Sequence, residues 1–372
     1  MKIKCQKIDL LNSINIVLKA IPTKTTMPIL ECIIIDAKSN IIKLISNDME
    51  LGIETIVKGE TLENGTIAIN AKVFSEIIRK LPDNEVTIDT DDNYQATIIC
   101  EKANFKISGK SSEEFPFLPE IQREKRVTLS QFSLKEIIRQ TVFSISDNES
   151  NKIMTGELFE INENQLKVTS LDGHRISIRN IKLKDIYDNI KVIVPGKTLN
   201  EVSKILSGEI ADEVYLFFTD KHIVFEFDDT VVVSRLIEGE FFKINQMLSN
   251  DYETKLTINK KEFLDCIDRA TLLIKESEKK PIIINISDNN MELKIHTNIG
   301  SMNEEIDIKK EGKDILIGFN PRFFIDALKV IDDEEIDIYL FNPKAPCFIK
   351  DEEESYIYLI LPVNINTNVS ER

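Results

Sequence analysis

Asn70-Ala71-Lys72-Val73-Phe74-Ser75-Glu76-Ile77-Ile78-Arg79-Lys80-Leu81 recurs in pattern at Pro195-Gly196-Lys197-Thr198-Leu199 through Leu206 and again at Asn320-Pro321-Arg322-Phe323-Phe324 through Ile331. The three starts, 70, 195 and 320, are evenly spaced, since 195 − 70 and 320 − 195 are both 125. Apolar side chains fall at matched positions: Phe74, Ile77, Ile78, Leu81; Leu199, Val202, Leu206, with Ser203 in the third place; Phe324, Ala327, Leu328, Ile331. A spacing of i, i+3, i+4, i+7 is the buried stripe of an amphipathic helix. The chain therefore reads as one unit written three times.

Cations recur on the opposite face of the same helices. Lys72 and Arg79, Lys197 and Lys204, and Arg322 and Lys329 keep one offset, two turns apart. Each copy also carries one acid on that ridge, Glu76, Glu201 or Asp326, so a stabilising i, i+3 or i, i+4 charge ladder is the plain alternative. Threefold recurrence on a chain of net charge −16 favours placement over accident and points to a polyanionic partner.

The remaining sequence fits three α+β units. Each opens with a short strand and a first helix: Lys2 to Cys5 before Leu10 and Ile14, Val127 to Leu129 before Ile137 and Ile138, Lys255 to Ile258 before Phe263 and Ile267. Alternating stretches such as Ile41 to Ser46, Val214 to Phe218 and Met291 to Ile295 read as strands. Two helices and many strands per repeat predict helices laid on antiparallel sheets. Pro-interrupted or polar joints near Phe115 to Lys125 and Gln246 to Glu253 divide the 372 residues into repeats 1–123, 124–250 and 251–372.

Composition narrows the class further. Hydrophobic content of 42% and charged content of 30% describe a soluble globular chain. Five scattered cysteines without a C-x-x-C spacing read as reduced thiols rather than a zinc or disulfide framework. No signal-peptide core or membrane-length apolar run is present, so a cytoplasmic location without membrane association is expected.

No catalytic constellation stands out. His174, His222 and His296 have no metal-pair spacing. Asp172-Gly173-His174-Arg175 is the densest polar cluster, yet Asp-Gly promotes turns and no Ser or Cys nucleophile motif accompanies it. Gly196-Lys197-Thr198 ends like a P-loop, but Lys191 occupies the place of the first glycine. An enzyme built on Asp172, His174 and Arg175, and a repeat scaffold that binds only proteins, are the alternatives to a non-catalytic nucleic-acid device with no cofactor.

In order along the three repeats, Pro22 to Lys24 with Met27 to Leu30, Ser170 to Ile176, Leu236 to Phe241, Ile317 to Asn320, Pro346 to Ile349 and Tyr358 to Ile365 resemble the bacterial DNA sliding clamps, the beta subunits of DNA polymerase III. The resemblance implies a DNA clamp fold and a head-to-tail homodimer that closes as a ring around double-stranded DNA without sequence specificity. The replicative polymerase, the clamp loader and other proteins with a clamp-binding motif would be its partners. It adds Lys24 and Lys152 to the ridge cations as DNA-contacting positions. It also implies a peptide pocket formed by Met154, Leu171, Gly173, His174, Arg175, Ile176, Phe242, Met247, Asn320, Phe323, Pro346, Leu359, Ile360, Leu361, Pro362, Val363 and Asn364. Phe242 stands where the family has proline, and Gln246 where some relatives have arginine. A ring joint of Phe105 and Ile107 against Leu272 and Leu273 is implied as well, with Lys102 facing Glu304 or Glu305.

Overall fold

The structure, a computed structural model, describes residues 1–124, 126–248, 251–275 and 280–365. Among them are six α-helices: α1 (Lys7–Val17), α2 (Ala71–Lys80), α3 (Gln131–Thr141), α4 (Gly196–Ile205), α5 (Lys260–Thr271) and α6 (Pro321–Leu328). They accompany four antiparallel sheets, as the α+β reading expects. The chain divides into two compact units, one of residues 1–134 and 198–236, the other of residues 135–197 and 237–372.

The first unit holds two sheets. Five strands run in the order Gly59–Glu63, Lys2–Gln6, Glu85–Thr90, Gln95–Cys100, Ala103–Ser108. Eight run in the order Arg126–Ser130, Glu213–Phe218, His222–Phe227, Thr230–Arg235, Leu51–Val57, Ile41–Asn47, Cys32–Lys38, Gly65–Asn70. The eight-stranded sheet joins strands 175 positions apart in sequence, where Thr230 pairs with Thr55 and their hydroxyls meet at 2.8 Å. Leu10, Ile14 and Val17 of α1 and Phe74 and Ile78 of α2 are fully buried.

The second unit is built alike. Its seven strands run Gly156–Leu171, Arg175–Pro195, Tyr356–Ile360, Cys347–Lys350, Glu335–Leu340, Thr254–Asn259, Lys309–Gly312. Four more run Gly300–Asp307, Asn290–Thr297, Ile282–Ser287, Ile315–Phe319. Phe263 of α5 meets Phe324 of α6 edge to face at 5.4 Å, and Phe319 meets Phe324 at 5.0 Å. Each such ring contributes about 1.5–3 kcal/mol by burial.

Helix starts follow from local chemistry. Asn70, Asn259 and Asn320 each turn a side-chain oxygen onto a backbone N–H of the next turn, at 3.1, 3.0 and 3.1 Å. An Asn cap of this kind is worth about 1 kcal/mol. In the second copy the matching place is Pro195, which has no side-chain acceptor, and at Gly196 after it a Cβ would lie 2.2 Å from Ile145 Cδ1 and 3.0 Å from the Thr155 carbonyl oxygen. Close packing accounts for the glycine that mimics a P-loop. The apolar stripes are buried as read, except that Ile77 and Ser203 are only half-buried.

All five cysteines are buried free thiols. Burial pushes the Cys5 and Cys266 thiols up to about 12. Among the described residues no helix is long and apolar enough to cross a membrane.

Candidate functional site

The Asp172-Gly173-His174-Arg175 cluster is a turn, joining the strands Gly156–Leu171 and Arg175–Pro195. Asp172 Oδ1 accepts from the backbone N–H of His174 at 2.9 Å and of Arg175 at 3.1 Å. Gly173 sits at φ +88°, a left-handed conformation that disfavours a side chain even with open space around it. Arg175 is the hub of the site, with its side chain only 12% exposed. Its Nε donates to Asp172 Oδ2 at 3.0 Å, Nη1 to Asp326 Oδ2 at 2.6 Å and Nη2 to the Phe143 carbonyl at 2.7 Å. The guanidinium carbon lies 4.7 Å from the Phe323 ring centre and 5.4 Å from that of Phe143. A planar fork with three oriented acceptors and two rings fixes geometry; it does not move protons.

An apolar patch, the basin, adjoins that turn through Leu171 and Ile176. Leu171, Ile176 and Leu359 are buried in one cluster with Leu158, Ile178, Phe241 and Ile244. Met154, Leu248 and Leu361 pack on this cluster half-exposed, while Phe242 and Met247 are 41% and 45% exposed. The His174 carbonyl accepts from Leu361 N–H at 2.9 Å, and the His174 ring centre lies 6.0 Å from that of Phe323. A buried apolar cluster with half-exposed apolar side chains packed on it suits the anchor of a short peptide.

Several expected pocket residues take other roles. Ile360 faces away from the basin into the core around Phe324, because alternate residues of the strand Tyr356–Ile360 point to opposite faces. Asn320 caps α6. Val363 donates to the Gly318 carbonyl at 2.8 Å, and with Asn364 lines a separate cavity beside Leu316 and Phe341. Pro346 and Pro362 are half-buried. Leu158, Ile178, Phe241, Ile244, Phe348 and Ile357 belong to the same buried cluster and are outside the expected pocket set. Alternation carries the signal for two of them, since Ile178 and Ile357 stand two residues from Ile176 and Leu359.

The cations Lys24, Lys72, Arg79, Lys152, Lys197, Lys204, Arg322 and Lys329 are all exposed. The charge ladder forms in two copies, Arg79 to Glu76 at 2.5 Å and Lys204 to Glu201 at 2.7 Å. In the third it is broken: Asp326 is drawn to Arg175, and Arg322 and Lys329 make no ion pair among the described residues. Lys72 makes none there either. Among the described residues no group of three His, Cys, Asp or Glu side chains is placed to hold a metal ion.

Two of the four expected joint residues lie at an open sheet edge, and the other two follow a helix. Phe105, 40% exposed, is on Ala103–Ser108, an edge strand of the five-stranded sheet, with Ile107 half-buried beside it. Leu272, 79% exposed, follows α5, whereas Leu273 packs half-buried on its own core. Glu304, one expected partner of Lys102, is already held by both Nε (2.9 Å) and Nη2 of Arg269, which depresses its carboxyl below the ordinary range.

Comparisons with known proteins agree from end to end. Three family models match in order: the DNA polymerase III beta subunit N-terminal domain over residues 1–119, its central domain over 128–243 and its C-terminal domain over 245–364. The beta sliding clamp of Staphylococcus aureus is 35% identical over 364 residues, covering 95% of this chain and 96% of that one. That of Staphylococcus epidermidis is 36% identical over the same span. A crystal structure of a putative DNA polymerase III beta subunit from Eubacterium rectale is 65% identical with a TM-score of 0.96, covering 98% of this chain and 100% of that one. The DNA polymerase sliding clamp of Bacillus subtilis is 32% identical with a TM-score of 0.94 over the same shares. The chain belongs to the DNA polymerase III beta subunit family, the non-catalytic DNA sliding clamps.

Proposed function

We propose that two copies of this chain, each made of clamp repeats 1–123, 124–250 and 251–372, join head to tail into a ring around duplex DNA. The ring slides without reading sequence and tethers the replicative polymerase, the clamp loader and other proteins carrying a clamp-binding peptide. The observation that carries this reading is the exposed pair of cations at one matched pair of positions in three helices of a chain with net charge −16. Phosphate contacts of that kind hold without specifying, and topology supplies the retention.

Lys24 and Lys152 join the ridge as DNA contacts, and the basin between Met154 and Leu361 receives the partner's apolar anchor. The joint uses the open edge at Phe105 and Ile107 against the surface at Leu272 and Leu273. Unpaired sheet edges are ready templates for another chain. Sedimentation tests the assembly: a mass twice the 42.6 kDa of one chain is expected, falling to one chain for a folded Phe105→Ala, Leu272→Ala double variant at micromolar concentration. A dimer that survives those changes would remove this joint.

A further inference from the structure

The seven-stranded sheet carries a second feature on the basin side. A cavity of about 250 Å³ opens among the rings of Tyr252, Tyr339 and Phe348 and the carboxylates of Asp251, Asp351, Glu352 and Glu354. One lysine, Lys350, completes its lining, so the walls carry four acids to one base. Tyr252 is 48% exposed and meets Tyr339 edge to face at 5.2 Å, which leaves a free aromatic surface in an acidic mouth. The Tyr339 ring already attracts ammonium groups of its own chain: Lys350 Nζ, in the cavity lining, lies 5.6 Å from its centre, and Lys255 Nζ, outside that lining, 5.5 Å. Those two are balanced locally, Lys255 by Asp337 at 2.9 Å and Lys350 by Glu354 at 2.6 Å. Glu352 is exposed and forms no ion pair among the described residues.

Sheet register links this cavity to the basin. Leu171 pairs with Ile176, Ile176 with Leu359, Leu359 with Phe348 and Phe348 with Tyr339, so all five lie in one row across five strands. Phe348 and Tyr339 are members of the basin cluster as well as walls of the cavity. Strands are about 4.7–4.9 Å apart, which places Tyr339 about 14 Å from Ile176. An extended peptide covers that in about four residues.

We propose that this cavity receives an arginine or lysine side chain of the partner peptide, about four residues from the apolar anchor. The inference rests on the basin being the peptide site. Aromatic faces attract cations, guanidinium above all, and the exposed Glu352 supplies the opposite charge.

Three fluorescein-labelled peptides test it by anisotropy: acetyl-Ala-Leu-Ala-Leu-Phe as anchor, and the same anchor extended by Gly-Ser-Gly-Arg-Arg at one end or the other. One extended peptide is expected to bind the full chain about five- to tenfold more tightly than the anchor alone, with the gain shrinking in added salt. In Glu352→Gln and in Tyr252→Leu that gain should fall below about twofold while the anchor binds as before, which shows that the fold and basin are intact. An anchor that binds with no gain from arginine would overturn the inference and leave the basin reading standing. So would an equal gain in wild type and variants, which general attraction to an acidic chain would produce. Failure of all three peptides to bind would overturn the basin reading and this inference with it.

Discussion

Glu157 has no exposed surface, and neither of its carboxylate oxygens has a well-formed hydrogen-bond partner. Burial pushes its carboxyl from an ordinary 4.5 up to about 8, against weak relief from Thr141. A pKa higher in the folded than in the unfolded state contributes stability that is complete below about 4.5 and lost as pH climbs through about 8. Glu157→Gln, neutral and of the same shape, should therefore melt together with wild type near pH 5 and several degrees above it at pH 8. Parallel melting profiles would show that the carboxyl finds a charge-stabilising partner. Arg175 makes the opposite kind of prediction, because its partners need its charge. Arg175→Met leaves Asp172 and Asp326 without their cation and should cost about 1–3 kcal/mol in urea unfolding, discounted because Asp326 is 39% exposed. Arg175→Lys should recover little, having no fork. The turn at Asp172 and Gly173 was legible because its bonds are local. The hub was not, since Phe143 and Asp326 lie 32 and 151 positions from Arg175.

Among the elements, helices were the most legible. Their stripes and ridges lie within one or two turns of sequence, and the period of 125 repeats them three times over. The hairpin of Gly156–Leu171 and Arg175–Pro195 escaped a reading by alternation. Its outer half is largely exposed around Lys184 to Asn189, and its register shifts between Ile161 and Gln165, so no regular apolar period survives there. The ridge belongs to this scale too. Reversing Lys72, Lys197 and Arg322 to Glu should change stability by at most about 0.5 kcal/mol per site, since exposed charges contribute little to folding. It should weaken DNA retention and flatten its salt dependence, by close to one unit of logarithmic slope for each phosphate that is no longer neutralised. An unchanged salt slope in the triple variant would reduce the ridge to helix-stabilising charge.

At the scale of the whole chain, the three repeats do not fold as three separate sheets. The strand Leu51–Val57 of the first repeat pairs with Thr230–Arg235 of the central one, and Arg175–Pro195 of the central repeat pairs with Tyr356–Ile360 of the third. Sequence periodicity counts the repeats but carries no mark of which strand adopts which neighbour across more than a hundred residues. Each pairing leaves edges open elsewhere, at Ala103–Ser108 and at Gly300–Asp307, and a second copy can use them. Closure by that second copy is the central claim, and topology tests it most directly. The protein is loaded onto nicked circular plasmid, the plasmid is cut once, and protein remaining on the DNA is measured by gel filtration. Retention on the intact circle and rapid loss after the cut is the predicted result. Equal retention on circular and linear DNA would contradict a sliding ring and leave an ordinary DNA-binding surface.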